Sequence, residues 1–326
     1  MTFPNLQNTA TLDINTDRLP LPASIAAYIT AYQDTIALNA CIHSLQTQTL
    51  LSAIYILDNS PQPLPLPPSQ IPLIHNPQPQ NIGIGHGLTL AITWALQERY
   101  QFLWLFDQDS QATPHCLTRL LQVYTHLQTQ DIQPGILAPT PLTGTPPEPV
   151  LAAHHDRYRF IGQAHQPDRP YYPCIAPITS GSLLNLAAAQ SIDPPNRDLF
   201  IDGVDIDYGM RLHQAGYPNY LVPSAILQHS FGTPHKIIWS GQTKILQNYS
   251  ALRHYYICRN HTYLDCKYAV GYWNIIAILF RFKYLSATLF WMIFVLPDRS
   301  WLKIWACLKG TYDGFRGRLG KTWRNH

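Results

Sequence analysis

The chain has 326 residues, 46% of them hydrophobic and 13% charged, with a net charge of +3. That is ample material for a core, under a surface unusually poor in charge, and it gives no reason to expect a nucleic-acid partner. Its six cysteines (Cys41, Cys116, Cys174, Cys258, Cys266, Cys307) form no CxxC pair, which argues against a disulfide scaffold or a cysteine zinc site and fits a reducing compartment.

Residues 1–23 have neither a basic n-region nor an apolar h-region. They predict a loosely ordered cytosolic tail, not a signal peptide. SIAAYITAY (24–32) predicts a buried strand, LNACIHSLQTQ (38–48) a helix, LSAIYILDNS (51–60) a second strand and IPLIHN (71–76) a third. NIGIGHGLTLAITWALQERY (81–100) opens on three glycines and continues as an amphipathic helix. QFLWLFDQDS (101–110) is a fourth strand. A helix follows over 113–128, with Thr113 as N-cap and Pro114 at its first position. PGILAPT (134–140) is a strand. This alternation predicts an α/β fold with right-handed βαβ units and a mostly parallel sheet, buried on both faces.

APITSGSLLNLAAAQSI (176–192) predicts strand, small turn and helix. LFIDGVDIDYGMRLHQAGY (199–217) places acids at the start of a helix closed by Gly216. YLVPSAILQHSFG (220–232) is a strand carrying His229 near its end. Residues 268–296 are strongly apolar but interrupted by Arg281 and Lys283, which leaves two 13-residue pieces. Each is shorter than the roughly 17–25 residues that span a bilayer, so two interfacial or core helices are expected. Charge is uneven. Residues 1–252 carry ten basic and sixteen acidic side chains, net −6, whereas 253–326 carry twelve basic and three acidic, net +9, with five of the eight tryptophans. The expected organisation is a tail (1–23), an acidic α/β domain (24–252) and a basic, Trp-rich helical region (253–326).

In a parallel sheet, ligands lie beyond the carboxyl ends of the strands. Tyr32-Gln33-Asp34, Asp58-Asn59-Ser60 and Asp107-Gln108-Asp109 all fall there. Residues i and i+2 of an extended segment face the same way, so Asp107 and Asp109 could hold Mg²⁺ or Mn²⁺ and, through it, a diphosphate. The same letters also suit a phosphatase nucleophile, although that motif belongs on a first strand. Asp58 could accept from a base or ribose, or simply close an Asx turn. The backbone of Asn81 to Gly87 could approach a phosphate or sugar, but glycines at 83, 85 and 87 do not make a dinucleotide fingerprint. Asp202, Asp205 and Asp207 crowd a helix start, where negative charge is favourable in itself; one of them could act as a general base. His229 is either structural or a metal or phosphate contact.

Taken in order, DNS, NIGIG, WLFDQDS, TSGSLLNL, LFIDGVDIDYGMRLHQAGY, VPSAILQHSFG and RHYYICRN resemble the family 2 glycosyltransferases with a GT-A fold, over about residues 24–262. DQDS, FIDGVDIDYGMR and LKGTYDGFRGRLGK look most like the bacterial rhamnosyltransferase branch. The resemblance implies a donor site of Asp58, Asn81, Gly83, Asp107 and Asp109, and a divalent cation (Mg²⁺ or Mn²⁺) on Asp107 and Asp109 with His229 near it. It implies Asp205 as general base, with Asp202 or Asp207 as substitutes. The acceptor side would comprise Ser180, Gly181 and Ser182 together with Asp202 and Asp207. Two positions depart from the pattern: Val204 where Glu is common, and Ala31-Tyr32-Gln33 where Thr-Tyr-Asn is commoner. The implied reaction is sugar transfer with inversion from a nucleoside diphosphate, dTDP-L-rhamnose by branch, to a saccharide or lipid-linked saccharide of the cell surface. A catalytically silent binding or scaffold relative is the competing class. The C-terminal region suits peripheral contact, through 268–326, with the inner face of the cytoplasmic membrane. The alternative is packing on the catalytic domain or on a second copy of the chain.

Overall fold

The computed structural model describes residues 24–230, 234–239, 242–247, 249–294 and 300–323. The expectation for residues 1–23 lies outside them, as do the last residues of the 220–232 segment and of the 268–296 segment.

The first half alternates as its apolar runs predict: β1 (Ile25–Ala31), α1 (Thr35–Gln46), β2 (Leu51–Asp58), β3 (Leu73–Pro77), α2 (Gly83–Gln97), β4 (Phe102–Asp107), β5 (Ser110–Ala112) and α3 (Cys116–Gln128). The middle is richer in short strands: β6 (Ile136–Thr143), β7 (Glu148–Pro149), β8 (Ala153–His155), β9 (Phe160–Gly162), β10 (Tyr172–Cys174) and β11 (Leu183–Asn185). Then come α4 (Leu186–Gln190), α5 (Val204–Gln214), β12 (Asn219–His229), the hairpin β13 (Pro234–Trp239) and β14 (Gln242–Gln247), and three helices, α6 (Ala251–Tyr268), α7 (Trp273–Phe294) and α8 (Trp301–Phe315).

The main sheet runs β10-β12-β6-β11-β4-β1-β2-β3. β4, β1, β2 and β3 are mutually parallel, as are β12 and β6, while β11 is inserted antiparallel between β4 and β6. Alternate residues of β4 enter cores on opposite faces. Phe102, Trp104 and Phe106 pack with α1 and α3, and Leu103 and Leu105 with α2, α4 and α5. Both faces are covered, which is why the strand is apolar without a break.

Three local expectations are corrected. The 101–110 segment is not one strand. It leaves the sheet at Gln108, and β5 turns back to pair antiparallel with β12, setting Ser110 opposite His229. Thr113 does not cap α3, because its hydroxyl donates to the Ile226 carbonyl (2.8 Å) and the cap position falls to His115. The apolar stretch after Tyr268 is not broken at Arg281 and Lys283. α7 is one 22-residue helix, long and apolar enough to cross a membrane by length and composition. Arg281 does not interrupt it because its guanidinium is buried against α6, 3.4 Å from Asp265 and 3.1 Å from Thr262 Oγ1. Gly216 does end α5 as expected: it has φ +91°, its N–H and that of Tyr217 return to His213 and Leu212, and the helix closes in a Schellman motif.

Candidate active site

The retreat of the chain at Gln108 builds the site. Asp107 ends β4, Asp109 follows the turn, and the β5–β12 pairing delivers His229 beside them. One ligand atom from each of the three lies within 4.8 Å of the others. His229 Nδ1 is 3.5 Å from Asp109 Oδ1 and 2.6 Å from Ser110 Oγ. Ser180, fully buried, joins the group from below: its hydroxyl donates to Asp107 Oδ2 (2.9 Å) and accepts from the Asp107 N–H (2.8 Å) and the Ser110 hydroxyl (2.9 Å). Asp109 Oδ1 is buried and accepts no hydrogen bond. Burial, then the Asp107 carboxylate, push Asp109 up to about 6, against the attraction of His229. An orphaned carboxylate oxygen beside a second carboxylate and an imidazole fits a divalent cation.

Asp205 lies in the first turn of α5. Its Oδ1 accepts only from the Ile206 N–H (2.9 Å), and burial first, then the charges of Asp202 and Asp107, raise it to about 6. Asp202 sits in the left-handed region (φ +61°), with Oδ1 3.4 Å from Arg253 Nη2 and Oδ2 buried without a partner. Burial raises its pKa against the Arg253 charge. Arg253, near the start of α6, lies over the Tyr249 ring (4.5 Å), and its charge acts on Asp109, Asp202 and Asp107.

Other expected site residues have different duties. Asp207 is buried away from this group, because its carboxylate accepts from Arg211 Nε (2.9 Å), Lys267 Nζ (2.6 Å) and Tyr268 OH (2.8 Å). It bolts α5 to α6 and is not available as a base. Ser180, Gly181 and Ser182 are buried supports of β4, not an acceptor lining; the Gly181 carbonyl accepts from Trp104 Nε1 (2.8 Å). Asp58 reaches the ligand edge but is fully buried. It accepts from the N–H groups of Ser60 (3.0 Å) and Leu64 (2.6 Å) and faces His75 Nε2 (3.2 Å). Burial pushes its carboxyl up, but these hydrogen bonds outweigh that and hold it below the ordinary value. Its geometry is the Asx turn, not a base contact.

The glycine-rich segment likewise offers no backbone cradle. The Ile82 N–H donates to Asn59 Oδ1 (3.0 Å), that of Gly83 to Asn81 Oδ1 (3.1 Å), and those of Ile84 and Gly85 to the Phe200 carbonyl (2.7 and 3.3 Å). A Cβ on Gly83, whose φ is +79°, would lie 2.4 Å from the Phe200 ring, and one on Gly87 2.1 Å from Leu57. These glycines allow α2 to approach the 196–200 turn and the sheet.

Sequence reasoning left Gln108 and Ser110 unassigned and passed over Arg253, Arg259 and Asn260. Gln108 donates to the Tyr32 carbonyl (2.9 Å) and accepts from its N–H (2.7 Å), and Ser110 bridges Ser180 and His229. The RHYYICRN string was the available signal for the other three.

Among solved structures the chain resembles TarS of S. aureus (residues 1–349), at 10% identity over 90% of this chain and 82% of that one, with a TM-score of 0.50. It also resembles GalNAc-T7, solved with UDP, GalNAc and Mn²⁺, at 13% identity over 89% of this chain and 57% of that one, with a TM-score of 0.57. The fold is GT-A. At these identities the likeness establishes architecture, and the mixed sheet with helices on both faces and a helical C-terminal part is that of the GT-A neighbours. No protein-family model and no curated protein matches the sequence.

Proposed function

We propose that the chain is an inverting glycosyltransferase that takes a sugar from a nucleoside diphosphate and passes it to a hydroxyl of a saccharide acceptor. The observation that carries this is the Asp107–Asp109–His229 cluster with its orphaned oxygen, whose Asp107 charge reaches the separate, nearly unpartnered Asp205 carboxylate on a GT-A fold. Asp107, Asp109 and His229 would hold Mg²⁺ or Mn²⁺, which when bound offsets the charge of the leaving diphosphate. Arg253 supplies a second positive charge at the same edge. Asp205 takes the proton from the acceptor hydroxyl as that oxygen attacks the anomeric carbon. The bond from that carbon to the diphosphate breaks, the electron pair leaves with the diphosphate, and the configuration inverts. Asp202, held by Arg253, keeps a negative charge near Asp205 and so strengthens it as a base. GalNAc-T7 was solved with a nucleotide, a sugar and a divalent cation; for this chain those ligand classes belong to the proposal, as does L-rhamnose from dTDP-L-rhamnose.

The proposed acceptor is lipid-linked, and the enzyme works on the inner face of the cytoplasmic membrane. α7 exposes Ile275, Leu279, Phe282, Phe290 and Phe294, and α8 exposes Trp301, Trp305 and Tyr312 at helical spacing. Their region carries net +9. An apolar, aromatic stripe in a basic setting suits the headgroup layer of an anionic bilayer. Arg281 is tied to α6 in the middle of α7, so the helix lies along the surface instead of crossing it.

A thermal-shift screen of nucleotide sugars with and without Mn²⁺ or Mg²⁺, followed by a transfer assay on the best of them, tests the chemistry. Metal-dependent stabilisation that Asp109→Asn abolishes is expected. Unchanged transfer by Asp109→Asn or Asp205→Asn would overturn the assignment of these residues, and nucleotide-sugar binding without any transfer by the unmodified chain would point to a silent scaffold. Phosphate release without an acceptor, through a phospho-aspartyl adduct at Asp107, would point to a phosphatase. For the membrane, full-length Trp301→Ser/Trp305→Ser should float with anionic liposomes less than the unmodified chain, and equal flotation rejects the surface.

A further inference from the structure

Arg259 of α6 is fully buried, and none of its N–H groups meets a carboxylate. Nε donates to Asn260 Oδ1 (2.7 Å), Nη2 to the carbonyls of Asp198 (3.0 Å) and Leu199 (2.9 Å), and Nη1 to the Gly320 carbonyl and to Thr322 Oγ1 (3.1 Å). A guanidinium has five N–H donors in a rigid plane, and all five are engaged. The Tyr256 ring stacks against it at 4.6 Å. Burying a cation among neutral acceptors is costly, and an aliphatic side chain could fill the space without that cost. It could not hold acceptors from two distant loops in one plane.

The next residue continues the grip. Asn260 Nδ2 donates to the carbonyls of Leu199 (2.8 Å), Ile201 (2.7 Å) and Asp202 (2.8 Å). The turn so held is unusual. Phe200 and Asp202 have φ of +65° and +61°, and Gly203 has +80°. Two non-glycine residues in the left-handed region persist only where the surroundings over-determine them. From the far side, the N–H groups of Ile84 and Gly85 hold the Phe200 carbonyl. Gly203 is the N-cap of α5, and Asp205 follows two residues later. The other loop in the grip, residues 320–322, reaches the same region: Lys321 donates to the Asn81 carbonyl (2.9 Å).

We propose that Arg259 is a positioning residue for Asp205. With Asn260 it fixes the 198–203 turn, and through that turn the start of α5, relative to the carboxylate cluster on β4. By the same fork it makes residues 320–322 part of the transfer apparatus. This rests on Asp205 being the base.

Full-length Arg259→Lys and Thr322→Val test it. Lysine keeps the charge but loses the planar fork, and valine removes one of the five acceptors. Small misplacement of a reacting group costs about 100-fold in rate. Arg259→Lys should lose about that much in kcat, and Thr322→Val roughly tenfold. KM for the donor and calorimetric affinity for UDP or dTDP with Mn²⁺ should hold in both. The acidic limb of kcat should also shift, because Asp205 moves against the charges of Asp202 and Asp107 that act on it. Thr322→Val decides the matter if Arg259→Lys does not fold. A folded variant with unchanged kcat and pH limb overturns the proposal. So does a kcat loss matched by equal losses in melting temperature and nucleotide affinity. Failure of the unmodified chain to bind Mn²⁺ with nucleotide or to transfer sugar would instead overturn the transferase assignment.

Discussion

Along the carboxyl edge of the sheet, the half built from Asp58, Asn59 and the 81–87 segment differs from the half built from Asp107, Asp109, Asp202, Asp205 and His229. In the first, the Asp58 carboxylate and the N–H groups that open α2 already have partners within the fold. Asp58 closes its own turn, Asn59 caps Ile82, and the first N–H groups of α2 end on Asn81 and Phe200. In the second, Asp109 Oδ1 and Asp202 Oδ2 are buried with no hydrogen bond, and Asp205 has a single backbone donor. Carboxylates at the carboxyl ends of β2 and β4, which flank β1, are thus pushed in opposite directions, Asp58 down by its hydrogen bonds and Asp109, just past β4, up by burial. Reaching the ligand edge does not make a ligand-binding residue; what matters is whether the loops leave its lone pairs unused.

The sharpest break between the halves is in activity. Asp109→Asn and Asp205→Asn should each lower sugar transfer by about 10²–10⁴-fold, measured as initial rates with Mn²⁺ present, whereas Asp58→Asn should act mainly through stability. Asp205 must be ionised to accept a proton, so kcat should fall on a one-proton limb as pH drops below about 6. A limb that survives Asp205→Asn would assign it to another group.

Steric damage comes next. Gly83→Ala forces a side chain into a left-handed position against Phe200 and should cost about 1–3 kcal/mol of folding stability. The affinity of the folded fraction for Mn²⁺ and nucleotide should not change. Loss of nucleotide affinity without loss of stability would mean that the segment does cradle a ligand.

The smallest effect is one of sign. The Asp58 pKa is depressed in the folded state, so its contribution is present above the unfolded value of about 4 and is lost as pH falls through the folded value. Asp58→Asn should therefore destabilise the protein near neutrality by about 1–3 kcal/mol, and less in acid. Asp205 is raised to about 6, so its ionisation opposes folding, and its contribution is lost as pH rises from about 4 to about 6. Asp205→Asn should raise stability at pH 7.5 by about 2 kcal/mol while abolishing transfer. Melting curves of both variants at two pH values would settle the signs.

Much of this was legible in sequence. Continuous apolar runs ending in polar clusters located β1, β2 and β4 and brought Asp58, Asp107 and Asp109 to one edge. The acids before Arg211 marked the start of α5. What could not be read was pairing between distant residues. Arg281 looked like a break in the apolar run because its partner, Asp265, lies on another helix. Thr113 looked like a cap because its acceptor, Ile226, is over a hundred residues away. Asp207 and Asp205 share a helix turn, yet it is Asp207 that Lys267 and Tyr268, some sixty residues away, engage.

The two hydrogen bonds between the Gln108 amide and the Tyr32 backbone have a consequence for the motif itself. A side-chain amide there imitates a peptide group and adds one more rung to the β1–β4 ladder after the main chain has departed. The residue between the two aspartates is therefore a stake that fixes where both carboxylates begin. Asparagine, one methylene shorter, would preserve the motif on paper and release the turn, so the middle letter of D-Q-D belongs to the architecture as firmly as the outer letters belong to the chemistry.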